Sequence, residues 1–269
     1  MKFATSNIAL PAYDHTRELS QLREMGLEGI EIAPSRVWRD TWKGLTPAHV
    51  ETYSNDIKKA GLQVVGLHSL FFDQPDLGLF HAEETRRKTL DFMVHLSALC
   101  RDLGGKTLIY GGGRMRGDVS EEDAYKRTID FCGTLCDRIE AHGTCYCFEP
   151  LSPQKTDFIH SVNDSLRIVC AVDHPALRVQ LDADALAASN EIVEETFQKA
   201  RPYLVHMHAN EPGFEVLGSS GKIDHAAIGA HLRAIGYSDF VSIEQRMLNE
   251  HDPLQDLATS VCVLKESYQ

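Results

Sequence analysis

One pattern of apolar and polar positions returns eight times along the chain. A Gly or Pro turn leads into a short apolar run, a polar loop follows, and then comes a longer stretch with apolar residues at helical spacing. The runs are Phe3–Ala9, Gly29–Ile32, Gln63–Leu67, Lys106–Tyr110, Thr144–Glu149, Arg178–Asp182, Tyr203–His208 and Phe240–Glu244. Runs this short and this continuously apolar fit strands buried on both faces, as in a parallel sheet.

The intervening segments carry helix marks. Asp14 is placed to cap a helix bearing Leu19, Leu22 and Met25 that stops at Gly26. Thr46-Pro47 puts a cap before a first-turn proline, and Gly61 closes that helix. Residues 82–103 read as a long helix with Leu90, Met93, Val94 and Leu99 inward. Ser120-Glu121-Glu122-Asp123 reads as a capping box ahead of a helix ending near Gly143. Further helical patterns cover 161–172, 188–200, 224–235 and 254–266.

Eight strand–helix units of roughly 34 residues predict an α/β fold, a parallel eight-stranded (β/α)8 TIM barrel forming a single domain over 1–269. An open doubly wound sheet would carry a Gly-rich phosphate turn after its first strand, and Ile8-Ala9-Leu10-Pro11 is not one. Gly111-Gly112-Gly113 lacks the lysine–serine pair of a P-loop.

Composition narrows the function. The chain has 27 basic and 39 acidic side chains, a net charge of −12, and that field disfavours nucleic acid. No run approaches the ~20 apolar residues that span a bilayer. The N-terminal segment has no basic stretch followed by a long apolar one, so no signal peptide and a cytoplasmic location are expected. The seven cysteines have no framework or zinc-ribbon spacing and read as reduced thiols.

In a barrel, reactive groups stand at the C-terminal ends of strands. Four consecutive runs end in Glu149, Asp182, His206-Met207-His208 and Glu244. An acidic residue at a strand end often caps the next helix. That explains any one of them but explains four in a row poorly. Inward carboxylates at one level repel one another unless a cation or protons neutralise them. An oxygen-rich set with one imidazole suits one Mn²⁺, Mg²⁺ or Co²⁺ ion, with Zn²⁺ less suited.

The segments Gly29-Ile30-Glu31-Ile32, Glu149-Pro150-Leu151, Leu181-Asp182, His206-Met207-His208-Ala209-Asn210-Glu211 and Val241-Ser242-Ile243-Glu244 resemble, in order and spacing, the xylose isomerase-like barrel superfamily, in its sugar and sugar-phosphate isomerase and epimerase branch. The resemblance implies a metal held by Glu149, Asp182, His208 and Glu244, with Glu149 and Glu244 as the proton-transfer pair of a metal-dependent isomerase or epimerase acting through an enediolate. It also shows departures from the ketose 3-epimerase pattern. Ala185 stands where those enzymes have the histidine of Asp-x-x-His, Lys155 is near the place of a family glutamate, and Phe214 or a neighbour replaces a family arginine. Substrate recognition is therefore expected to differ.

Further substrate contacts are expected from the rim. Arg246 is two residues beyond Glu244, on its side of an extended strand. Arg114 follows flexible glycines, and Lys155 adds a third cation; together they suggest an anionic group on the substrate, such as phosphate. His68 ends the third run, and Glu31 faces the barrel interior, where it orients a substrate hydroxyl or pairs internally. Glu211 is a further candidate for substrate, and Trp38 for a cover over a sugar face, with helix packing as its other reading.

Three other functions share these features. A keto-sugar or inosose dehydratase or lyase would use the same enolate. An endonuclease IV-like repair enzyme needs extra histidines for a trinuclear cluster, which Ala185 and Tyr110-Gly111 do not supply. A non-catalytic sugar-binding barrel would not need both glutamates. The expected partner is a small sugar or sugar phosphate, and a homodimer is compatible with the fold.

Overall fold

Strands and helices alternate through the computed structural model, which describes residues 1–269. In chain order they are β1 (Lys2–Ser6), α1 (Thr16–Glu24), β2 (Gly29–Ile32), α2 (Pro47–Lys59), β3 (Gln63–Leu67), α3 (Glu83–Leu103), β4 (Thr107–Tyr110), α4 (Glu121–Ile139), β5 (Cys145–Phe148), α5 (Val162–Val172), β6 (Leu177–Asp182), α6 (Ala183–Ala188), α7 (Glu194–Ala200), β7 (Leu204–Ala209), α8 (His225–Ala234), β8 (Phe240–Ile243) and α9 (Pro253–Tyr268). The strands pair in sequence order, all parallel, and β8 pairs with β1 to close a TIM barrel. Strands β2 and β4 are buried at every residue, Glu31 of β2 included, as strands covered on both faces are.

One apolar cluster of 62 buried residues packs strand residues such as Ile32, Leu108 and Val241 with helix residues such as Leu22, Phe92 and Leu257. Phe92 of α3 is fully buried and meets the rings of Trp42 and Phe71. Removing a side chain of this kind from water stabilises the fold by about 1.5–3 kcal/mol. All seven cysteines are free. No helix is long and apolar enough to cross a membrane.

Local chemistry sets the element ends. Thr46 caps α2 by accepting the His49 N–H, and the His49 ring accepts the Thr46 N–H in return. Gly104 ends α3 with φ of 89°, a left-handed turn that a side chain would resist. Asp14 accepts the Thr16 N–H at 3.1 Å, although the helix proper starts after His15.

Two elements differ from the pattern. The first apolar run is strand only to Ser6, because Ser6 Oγ accepts the Ile8 N–H and starts a 3-10 turn. Asn7 then bonds both the N–H and the carbonyl of Ala33, tying the exit of β1 to that of β2. The helix expected over 188–200 is shorter, Glu194–Ala200, and an unanticipated helix, Ala183–Ala188, precedes it. Asp182 caps α6 immediately after β6, Asn190 turns left-handed at φ 54°, and α7 begins only at Glu194.

Candidate metal centre and active site

Side chains two apart on a strand share a face. Gln180 and Asp182, His206 and His208, and Ser242 all reach the barrel interior by that parity, and all are buried. Glu149, Asp182, His208 and Glu244 meet at the C-terminal end of the barrel, with ligand atoms all within 4.8 Å of one another. From His208 Nδ1 the distances are 3.4 Å to Glu149 Oε1, 3.5 Å to Glu244 Oε2 and 3.9 Å to Asp182 Oδ2. Ligands on opposite sides of one cation with bonds of about 2.1–2.4 Å stand about 4.2–4.8 Å apart.

Each carboxylate is held from behind. Gln180 Nε2 donates to Glu149 Oε1 at 2.6 Å. Asn210 Nδ2 donates to Asp182 Oδ2 at 2.6 Å and to Glu244 Oε2 at 2.9 Å. His68 Nδ1 lies 3.4 Å from Glu244 Oε1, and its Nε2 is 2.5 Å from Ser6 Oγ. The other oxygen of Asp182 accepts the Ala185 N–H at 2.8 Å, so this residue is helix cap and cluster member together. A Cβ on Gly111 would stand 2.0 Å from Glu149 Oε2, so the missing side chain makes room for that carboxylate.

Electrostatics follow from burial and crowding. Burial, then the charges of Glu149 and Glu244, push Asp182 up to about 7. Burial pulls the His208 imidazole down, but Glu31, Glu244 and Glu149 override it and hold it well above its ordinary value. Burial raises Glu244, and His208 and His68 bring it below the ordinary carboxylate value. Three buried carboxylates around one imidazole leave negative charge that a divalent cation would balance. The donor set therefore fits such an ion.

The cluster opens on a cavity of about 290 Å³, walled by His68, Phe71, Phe72, Leu151, Lys155 and Phe214, among others. Lys155 Nζ pairs with Asp184 at 3.0 Å and stands 4.8 Å over the Phe214 ring. Burial lowers its pKa, but Asp182, Asp184 and Glu244 raise it above the ordinary lysine value. A larger cavity, about 480 Å³, lies at the other end of the barrel against Lys2, Gln63, Thr107 and Asp239. None of the ligating clusters reaches it, so chemistry rather than size locates the site.

The structure thus gathers Glu149, Asp182, His208, Glu244, His68 and Lys155 around one cavity. Five expected substrate contacts lie elsewhere. Arg114 is only 1% exposed, and its guanidinium donates to the carbonyls of Phe158, Ile159 and Glu149. Arg246 points away because β8 ends at Ile243 and the strand parity is lost; its side chain is 58% exposed and pairs with Glu215. Glu211 is buried and accepts from Gly218 N–H, Ser220 and His225. Trp38 packs edge-on against Tyr53 of α2. Glu31 takes the internal pairing, beneath His208 and His206.

Gln180 and Asn210 were not singled out from the sequence. The signal was there: each stands two residues from a ligand candidate on the same strand or just beyond it, hence on the same face. Phe71 and Phe72 lie in a loop whose course no periodicity encodes.

A family model described as a xylose isomerase-like TIM barrel matches residues 19–266. D-psicose 3-epimerase of Ruminiclostridium cellulolyticum is 26% identical over 126 residues, 47% of this chain and 43% of that relative, so the alignment spans less than half of either. Fructoselysine 3-epimerase of Escherichia coli O157:H7 is 24% identical over 220 residues, 77% of this chain and 74% of that one. Among solved structures, D-psicose 3-epimerase from Clostridium cellulolyticum H10 superposes with a TM-score of 0.85 at 17% identity, covering 100% of both chains.

Proposed function

This chain belongs to the xylose isomerase-like TIM barrel family, and we propose that it is a divalent-metal-dependent epimerase of a small, uncharged keto-sugar. The observation that carries the reading is the pair Glu149 and Glu244. Both are buried, both line the same cavity, and they approach it from strands three apart around the barrel. Relatives named as sugar 3-epimerases support the reaction class.

Glu149, Asp182, His208 and Glu244 would hold the ion. When bound, a cation of the Mn²⁺, Mg²⁺ or Co²⁺ type would polarise the substrate carbonyl and so acidify the C–H of the adjacent hydroxyl-bearing carbon. The rest falls to the protein. One glutamate takes that proton and the other returns a proton to the opposite face, inverting the carbon. Gln180 fixes one oxygen of Glu149, and Asn210 and His68 fix Glu244, so neither carboxylate swings away between the two transfers. Lys155, whose ammonium has three N–H donors and gives only part of them to Asp184, is the donor left to meet substrate hydroxyls. Phe71, Phe72, Phe214 and Leu151 offer apolar surface to a sugar's C–H face.

An uncharged substrate is favoured over a sugar phosphate. Arg114 and Arg246 are engaged elsewhere, and Lys155 already carries Asp184 as counter-charge. The test is incubation of the metal-loaded protein with free and phosphorylated keto-sugars in D₂O, followed by NMR. One deuterium next to the carbonyl together with a new epimer is expected for a free sugar. An unsaturated or deoxy product would replace epimerisation by dehydration. Absence of both exchange and turnover across the panel refutes enolisation. Glu149→Gln and Glu244→Gln should each lower the rate about 10²–10⁴-fold.

A further inference from the structure

Below the four-residue cluster lies a carboxylate that the proposed reaction never touches. Glu31 is fully buried and does not line the cavity. Its two oxygens meet two imidazoles, Oε2 at 2.9 Å from His208 Nε2 and Oε1 at 3.2 Å from His206 Nε2. The opposite nitrogen of His208, Nδ1, is the one that faces Glu149, Asp182 and Glu244. The ring therefore spans two layers of the barrel, with one nitrogen in each.

The barrel's hydrogen-bond ladder is bent to make this arrangement. Its register slips in two places. One slip lies between Ile30 and Ile32, alongside Glu31, where β2 pairs with β3. The other lies between Val179 and Gln180, where β6 pairs with β7 and the partner jumps from Leu204 to His206. Such irregularities re-aim side chains near functional sites. Here they fall beside the two residues that meet under His208.

A neutral imidazole that donates Nε2–H to a carboxylate must present its Nδ1 lone pair. We infer that Glu31 is a positioning residue: it holds His208 in the Nε2–H tautomer and makes Nδ1 the metal ligand. The inference rests on the reading that a divalent cation occupies the cluster. The full negative charge of Glu31 also increases the donor strength of the ring, as a carboxylate behind a ligating histidine does.

The experiment compares metal-free wild type, Glu31→Gln and Glu31→Ala by calorimetric titration with Mn²⁺, with thermal melts establishing that each is folded. Glu31→Ala should raise the Kd about 10–100-fold. Glu31→Gln should recover part of the loss, because its amide oxygen still accepts the Nε2–H. In parallel, ¹⁵N NMR of histidine-labelled, Mg²⁺-loaded wild type should show the His208 proton on Nε2. A merely structural Glu31 would shift the melting temperature and leave the Kd unchanged. A Kd for Glu31→Ala within about twofold of wild type, or an Nδ1–H proton on His208 in the loaded protein, overturns the inference while leaving the proposed function standing. Wild type that binds no divalent cation overturns both.

Discussion

Removing the charge of Asp182 should make the metal-free protein more stable while abolishing its cation binding. Burial and the neighbouring carboxylates raise this group from the ordinary 3.8 to about 7. The unfolded chain gives up the proton near pH 3.8, whereas the folded protein keeps it until about pH 7. Between those values the folded state binds more protons, so stability falls as pH rises. At about 1.4 kcal/mol per pH unit, the full cost above neutrality is about 4 kcal/mol. Asp182→Asn removes that cost. The new amide still offers an oxygen to the Ala185 N–H, but its NH₂ opposes the Asn210 NH₂ and forfeits about 1 kcal/mol. The net gain near pH 8 is about 2–3 kcal/mol, a rise in Tm of about 5–10 °C for a chain of this size. Near pH 4 the gain should vanish. The assay is circular-dichroism melting of chelator-treated wild type and variant across that range. Mn²⁺ at about a hundredfold its Kd should then stabilise wild type by about 2.7 kcal/mol and leave the variant unmoved. A metal-free variant that melts at or below wild type near pH 8 refutes the electrostatic reasoning.

Gly111→Ala should lower kcat about 10²-fold with little change in Tm, since its Cβ displaces the Glu149 carboxylate and nothing in the core. Steady-state kinetics beside a melting curve separates the two. Arg246→Ala should change stability by less than about 0.5 kcal/mol and leave turnover intact, because its ion pair is exposed. Arg114→Met should cost at least about 3 kcal/mol in urea unfolding, as three buried carbonyls lose their charged donor.

The barrel was legible in the sequence because each strand is a short, mostly buried run rich in apolar residues, and β2 and β3 match their predicted limits residue for residue. The four ligand candidates were legible for a related reason: a carboxylate or imidazole closing such a run has nowhere to go but the barrel mouth. The arginines were not. Arg246 was assigned by strand parity, and parity ends with β8 at Ile243. Arg114 depends on carbonyls of residues 149, 158 and 159, distant in sequence, which no local pattern encodes. Glu211 shows the same limit. It follows His208 and Asn210 in the chain but turns to Ser220 and His225 once β7 has ended at Ala209.

Arg114 also determines where this protein will tolerate redesign. By clasping the carbonyls of Glu149, Phe158 and Ile159 it fastens both ends of the loop beyond β5, and Leu151 N–H bonds the Ile159 carbonyl across it. That side of the mouth is a clamped jaw. Two strands away around the mouth, the loop beyond β3 carries Phe72, which leaves 79% of its surface in solvent. Libraries aimed at bulkier sugars should therefore vary residues 70–74 and leave 150–159 alone, since changes to the fastened loop drag Glu149 with them.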